Sequence, residues 1–171
     1  LNYVGSFEFC RNIKSISLPD SIKDTADGMF TGCEMLTSVK LPRKLKAIKS
    51  YDFADCRKLT KLNIPVTVKV VYMSAFAGSG LKKIVLPENV TTIKNGDAGR
   101  KVFKYIKGIN YPTKNLRVIE IHSKKIKSIQ KNSFSGLSSK VVIKVPKSKK
   151  KKYTKMLRKS GLSKKVKICN L

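Results

Sequence analysis

Catalytic and metal-binding residue types are scarce in this 171-residue chain: tryptophan is absent, histidine occurs once, and 10 acidic residues stand against 38 lysines and arginines. The single histidine, His122, follows a predicted strand and is interpreted as a turn residue. No acidic pair or Ser/His/Asp set has supporting context, so no enzyme activity, small-molecule substrate, cofactor or metal is predicted. Gly78-Ser79-Gly80 lacks the spacing and the following lysine and helix of a phosphate-binding loop. No run of 18 apolar residues is present, so no membrane span is predicted.

What the chain does have is an internal repeat of 23 residues. A phenylalanine, a cysteine and a Leu-Pro or Ile-Pro pair return at this period. They are Phe7, Phe30, Phe53 and Phe76, then Cys10, Cys33 and Cys56, and the prolines Pro19, Pro42 and Pro65. A fourth unit carries Ser79 in place of cysteine and is one residue shorter before Leu81. The register resumes at Leu116, and a sixth unit runs from Phe134 to Pro146. Such self-similarity predicts a solenoid of stacked coils.

Each unit contains a short alternating segment such as Ser38-Val39-Lys40-Leu41, in which Val39 and Leu41 point to one side and Ser38 and Lys40 to the other. This alternation predicts a strand, and the following proline, which has no N–H, marks its end. The second half of the unit predicts an extended return segment that closes with a short helical or 3₁₀ turn. One unit buries too few apolar side chains to fold alone, so the units are expected to stack.

The pattern Phe-x-x-Cys-x-x-Leu-x-x-Ile-x-Leu-Pro-x-x-Leu-x-x-Ile, with three near-perfect copies, resembles the BspA-like subclass of leucine-rich repeats between Phe7 and Pro146. The resemblance implies an α/β fold that is mostly β with short helical turns, a right-handed solenoid with a parallel sheet on one face. It also implies a non-catalytic protein displayed on or secreted from a microbial cell, where it binds host or neighbouring macromolecules. The chain begins at Leu1 without a leader, and we expect that a signal peptide has been removed.

The predicted organisation is a repeat solenoid over residues 1–146, with about six repeats and an irregular insert at 94–115, followed by a C-terminal cap over 147–171. Within the cap, Tyr153, Met156 and Leu157 fall at helical spacing before Gly161, which predicts a helix over 149–160. A closing strand is predicted over 165–169. The alternative for this lysine-rich helix is a membrane-surface or polyanion-binding role.

The cysteines of successive units predict a column of side chains about 4.8 Å apart. Parallel Cβ directions do not suit the near-90° torsion of a disulfide, and a linear column cannot surround a tetrahedral metal. A buried, reduced ladder is therefore favoured, since free cysteine packs as a small apolar residue. Cys169 lies outside the pattern and is assigned no role.

Positive charge is concentrated late in the chain: residues 1–97 contain 15 basic and 9 acidic residues, whereas 98–171 contain 23 basic residues and Glu120 alone. Such a field attracts polyanions such as sulfated glycan, teichoic acid or nucleic acid. Lysine outnumbers arginine 32 to 6, however, and arginine is the residue favoured for phosphate recognition. Solvated surface lysines are thus an alternative to a polyanion site.

Two candidate contact surfaces follow. The first is the outward side of the predicted strands, formed by Ser15, Ser17, Ser38, Lys40, Lys61, Asn63, Lys83 and Val85. The second is the insert, where aromatic residues alternate with basic ones and whose candidates are Arg100, Phe103, Tyr105 and Tyr111. The alternative for the insert is an aberrant repeat that packs over the core edge. Three classes of function remain at this stage: a protein-binding or adhesion module, a polyanion binder, and a structural stalk.

Overall fold

The computed structural model describes residues 7–96 and 115–171, and within these ranges the chain forms ten short strands, one α-helix and two 3₁₀ turns. The strands are β1 (Ser15–Ser17), β2 (Ser38–Lys40), β3 (Ala47–Ile48), β4 (Val70–Tyr72), β5 (Lys83–Leu86), β6 (Thr92–Lys94), β7 (Val118–Ile121), β8 (Ser128–Ile129), β9 (Val142–Val145) and β10 (Lys167–Asn170). The helix α1 spans Lys150–Lys159, and the 3₁₀ turns span Met73–Phe76 and Lys147–Lys149.

All strand pairings are parallel, and they lie on two sides of each coil. On one side β1 pairs with β2, and β5, β7, β9 and β10 pair in that order; we call the outward side of these strands and of the intervening residues 61–63 the strand face. On the other side β3, β4, β6 and β8 form the return sheet. The predicted α/β repeat solenoid is confirmed, and the extended return segments prove to be paired with one another.

Turns of three residues explain the spacing of the Phe-x-x-Cys-x-x-Leu motif. In the third unit the Cys56 N–H donates to the Phe53 carbonyl at 3.3 Å, and the Leu59 N–H donates to the Cys56 carbonyl at 3.0 Å. Three residues per turn bring all three side chains to the same side. Phe53, Cys56 and Leu59 are consequently buried in one core that is continuous through the stack.

Phenylalanine rings stack along this core. The ring centroids of Phe7 and Phe30 lie 5.6 Å apart, those of Phe30 and Phe53 also 5.6 Å, and those of Phe53 and Phe76 6.5 Å. The planes of each pair differ by no more than 18°. Because each ring comes from a different unit, the column shows that the coils are in register at this position.

The residue two positions after each of these phenylalanines adopts a left-handed backbone conformation. This residue is Gly32 in the second unit, with a φ of 72°, and Gly78 in the fourth, with a φ of 66°. Asp55 takes the same position in the third unit with a φ of 58°, a conformation that Asn and Asp tolerate better than most residues. The turn is therefore built into the repeat and does not depend on glycine alone.

The C-terminal residues continue the stack. Tyr153 and Leu157 of α1 are buried, and the Tyr153 hydroxyl accepts a hydrogen bond of 3.0 Å from the Ile126 N–H. The helix ends at Lys159 and is followed by the cap residue Ser160 and by Gly161, which has a φ of 90°, and β10 pairs with β9. The helix predicted over 149–160 is observed at Lys150–Lys159, and the strand predicted over 165–169 is observed at Lys167–Asn170.

Candidate functional site

Strand pairing brings most of the predicted contact residues together on the strand face. Ser15 lies opposite Ser38 and Ser17 opposite Lys40 in the β1–β2 pair, and all four are exposed. Alternation along each strand produces this arrangement, because the intervening apolar residue turns inward. Further along the stack, Lys83 is exposed and Val85 is half-buried on β5, in register with Val118 and Glu120 of β7.

The third unit departs from the prediction. Lys61 and Asn63 are exposed as expected, but residues 61–63 do not form a strand. No backbone hydrogen bond joins them to another coil in the described part of the chain, and the ladder of the strand face is interrupted between β2 and β5. The predicted continuous column of strands is therefore wrong at this unit, although its side chains remain on the same face.

A close approach of the third and fourth coils accompanies this break. The Gly80 N–H donates to the Cys56 carbonyl at 3.0 Å, and a Cβ atom at Gly80 would lie 2.2 Å from the Arg57 carbonyl oxygen. Gly80 lies where the fourth unit is one residue shorter than the others. The shortened turn thus brings the third and fourth coils into close contact at Gly80, whereas residues 61–63 of the third coil are not paired with β5 of the fourth.

We expect the Gly80→Ala substitution to lower the free energy of unfolding by about 1–3 kcal/mol, since the added methyl group meets backbone atoms that cannot rotate away. Urea denaturation followed by circular dichroism measures the change. The nearby exposed Lys58→Ala variant is the control and should change stability by less than about 0.5 kcal/mol. A Gly80→Ala protein as stable as the parent would show that the coils are not in close contact here.

A cleft of about 360 Å³ opens beyond Gly80, between the third and fourth coils. Its walls carry both apolar and basic side chains. The lining residues are Thr60, Lys61, Leu62, Asn63, Lys82, Lys83 and Val85. Four of the eight predicted strand-face residues therefore line one cavity, which the sequence pattern alone did not indicate.

Glu120 organises the neighbouring part of the face. Its carboxylate lies 2.9 Å from Lys83 Nζ, 3.1 Å from His122 Nε2 and 3.5 Å from Lys144 Nζ, and its side chain is 12% exposed. Burial opposes ionisation of the carboxyl, but the hydrogen bonds with Lys83 and His122 outweigh it and hold the pKa of Glu120 below its ordinary value. The sequence signal for this role is that Glu120 is the one acid after residue 97.

The cysteines are free thiols, and two of them are buried. Cys33 Sγ donates a hydrogen bond of 3.1 Å to the Phe7 carbonyl, and Cys56 Sγ repeats the contact with Phe30 one unit later at 3.1 Å. Burial, assisted by the Cys10 thiol, raises the pKa of Cys33 to about 11, and burial with the Cys33 thiol raises the pKa of Cys56 further. Across residues 7–96 and 115–171, no group of three His, Cys, Asp or Glu side chains is arranged to hold a metal ion.

Lysines cover the C-terminal residues. From Lys147 to Lys167 there are 11 basic residues and no acid, and Lys150, Lys151, Lys152 and Lys155 are exposed on α1. In the described ranges none of these four makes an ion pair. The insert candidates Arg100, Phe103, Tyr105 and Tyr111 lie outside the described residues.

Comparison with known proteins adds a family and a fold. The family described as BspA type leucine rich repeat region matches residues 3–110 and 99–170 with six copies. The pneumococcal vaccine antigen PcpA is similar in structure, with 20% identity and a TM-score of 0.63 over 99% of this chain and 44% of that one. The leucine rich repeat protein TpLRR of T. pallidum has 22% identity and a TM-score of 0.67 over 94% and 80%. A search of curated proteins by sequence finds no match.

The chain spans less than half the length of the pneumococcal antigen. At identities below 25% these likenesses concern the fold. None of the helices in the described ranges is both long and apolar enough to cross a membrane.

Proposed function

Because this chain belongs to the BspA-type leucine-rich repeat family, whose members are generally non-enzymatic binding modules, we propose that it is a protein-binding or adhesion module of a cell-surface or secreted bacterial protein. The observation that carries the proposal is the strand face, where register collects exposed polar and basic side chains from successive coils. Repeat proteins use such extended faces to bind macromolecules. Similarity to a pneumococcal vaccine antigen supports the location outside the cell.

A polyanion-binding function of the basic C-terminal half is the second candidate. It is favoured by the exposed lysines of α1, for which the described residues supply no ion-pair partner, while Glu120 is already engaged by Lys83, Lys144 and His122. Sulfated glycan, teichoic acid or nucleic acid would be bound through release of counterions. The two functions use different surfaces, so substitutions can separate them.

Two matched triple variants provide this separation. The face variant carries Lys40→Glu, Lys61→Glu and Lys83→Gln, the last only neutralised because Lys83 holds Glu120. The helix variant carries Lys151→Glu, Lys152→Glu and Lys155→Gln, with the same change in charge. Each is tested against immobilised purified extracellular matrix proteins and against heparin, after circular dichroism has confirmed folding.

We expect the face variant to lose at least tenfold in affinity for a matrix protein that the parent binds, with the helix variant within about twofold of the parent. Heparin retention should fall mainly in the helix variant and should drop steeply between about 50 and 200 mM salt. Equal protein binding by parent and face variant would remove the strand face as the binding surface. A chain that binds neither class of ligand would favour the structural stalk.

A further inference from the structure

The break in the strand face is confined to one side of the solenoid. On the opposite side of the same coil, β4 pairs with β3 on one flank and with β6 on the other. The third coil is thus held firmly in the return sheet, while its residues 61–63 have no backbone partner in a neighbouring coil of the described chain. The cleft is a local opening of the face, since the stack itself continues through the return sheet.

The backbone of residues 61–63 points to the kind of ligand that fits. Its N–H and C=O groups are not used by the ladder, unlike those of β2 and β5, which each have a partner strand. An extended peptide presents alternating N–H and C=O groups that match such a segment, as in recognition by strand addition. A phosphate backbone offers acceptors only, and the hydroxyl groups of a polysaccharide do not repeat in the alternating pattern of a peptide backbone.

The side chains of the cleft indicate which side chains the ligand carries. Lys61 and Lys82 are exposed and make no ion pair within residues 7–96 and 115–171, whereas Lys83 is held by Glu120. Leu62 and Val85 are only half-buried and supply an apolar wall. The complementary ligand alternates carboxylates with apolar side chains, because neighbouring residues of an extended segment point in opposite directions.

We propose that the cleft between the third and fourth coils receives an extended acidic segment of the partner protein, which hydrogen-bonds to the backbone of residues 61–63 and places carboxylates on Lys61 and Lys82. This inference rests on the proposed function and names the partner chemistry within the strand face. The shortened turn at Gly80 is the element that creates the opening.

Three synthetic peptides test the proposal: acetyl-(Glu-Val)₃-amide, the same peptide with its glutamate nitrogens methylated, and acetyl-(Lys-Val)₃-amide. Binding is measured at about 50 mM salt by NMR titration of the labelled protein. The first peptide should bind saturably and shift the signals of residues 61–63. Methylation removes donors needed for strand pairing, so we expect at least a tenfold loss for the second peptide and no binding of the third.

The matched protein variants are Lys61→Gln/Lys82→Gln in the cleft and, as a control with the same loss of charge, Lys44→Gln/Lys46→Gln, two exposed lysines of the second coil that lie outside the strand face. The cleft variant should bind the acidic peptide at least tenfold more weakly, and the control variant within about twofold of the parent. The inference is overturned if the acidic peptide does not bind, if the methylated peptide binds as well as the parent peptide, or if both variants lose equally. If the face variant binds the partner protein more weakly than the parent while the cleft variant binds it equally well, the proposed function stands and only the inference about the cleft is wrong.

Discussion

Replacing Phe53 with alanine is expected to lower the free energy of unfolding by about 3–5 kcal/mol. The Phe53 ring is buried between the rings of Phe30 and Phe76, so its removal takes away apolar burial and two stacking contacts and leaves a cavity in the column. Because each coil contacts only its neighbours, the substitution weakens the contacts of the third coil with both the second and the fourth coil. Urea denaturation monitored by circular dichroism gives the change.

Two further substitutions serve as controls: one removes ring stacking but keeps apolar burial, and the other truncates an exposed side chain. Phe53→Leu keeps most of the apolar volume and should lower the free energy of unfolding clearly less than Phe53→Ala does. The lost ring stacking should account for about 0.5–1.5 kcal/mol of the Phe53→Leu effect. Val66→Ala, at a side chain that is 59% exposed, should change stability by less than about 0.5 kcal/mol. A Phe53→Ala effect no larger than that of Val66→Ala would contradict the stacked column.

Between about pH 5 and 8 the stability of the parent protein is expected to fall as pH rises. The cause is the carboxyl group of Asp52, which is buried. It accepts hydrogen bonds from the Lys49 N–H at 2.7 Å and from the Met29 N–H at 3.4 Å. Burial raises the pKa of Asp52 from its ordinary value to about 8, despite these bonds and the nearby Lys49 charge. Asp27 adds a further raising effect.

The sign follows from proton binding. In this pH range the native protein holds the Asp52 proton and the unfolded chain does not, so each pH unit lowers the free energy of unfolding by up to about 1.4 kcal/mol. The contribution is complete below the ordinary pKa of an aspartate and is lost as pH rises through about 8. The lowered pKa of Glu120 has the opposite sign, but its contribution is lost only on acidification, below this window.

Asp52→Asn is the control because it is neutral at every pH and keeps one acceptor oxygen for the backbone. We expect it to cost about 1 kcal/mol for the weakened hydrogen bonding and to flatten the pH dependence. Urea midpoints at pH 5, 6, 7 and 8 for both proteins provide the comparison. Parallel pH profiles in the two proteins would show that Asp52 is ionised in the native state.

The repeat could be predicted from the sequence because the spacing of its apolar residues equals the period of the local backbone structure. Three residues separate Phe53 from Cys56 and Cys56 from Leu59, which is one turn each, and the alternation around Val39 is the period of a strand. The pairing of the return segments was not predicted, since their apolar residues, such as Leu45 and Ile48, stand three apart and do not show the alternation of a strand.

Part of the candidate site could also be predicted, since outward positions such as Lys40 and Lys83 follow from alternation alone. The break at residues 61–63 could not, because Lys61 and Asn63 fit the strand pattern as well as their neighbours do. The deletion before Leu81 is visible in the sequence, but its effect depends on the contact of Gly80 with the Arg57 carbonyl. Nor does a sequence show that Glu120 holds Lys83 and Lys144 from two other coils.

Amide hydrogen exchange of the free protein tests most directly whether the strand face is open at the third coil. We expect the amides of residues 61–63 to exchange within about tenfold of the rate of an unfolded chain, and those of Val70–Tyr72 on the same coil at least about 100-fold more slowly. If the amides of residues 61–63 were as protected as those of β4 and β7, these residues would be hydrogen-bonded to neighbouring strands. The strand face would then have no break at the third coil, and no peptide could pair with the backbone there.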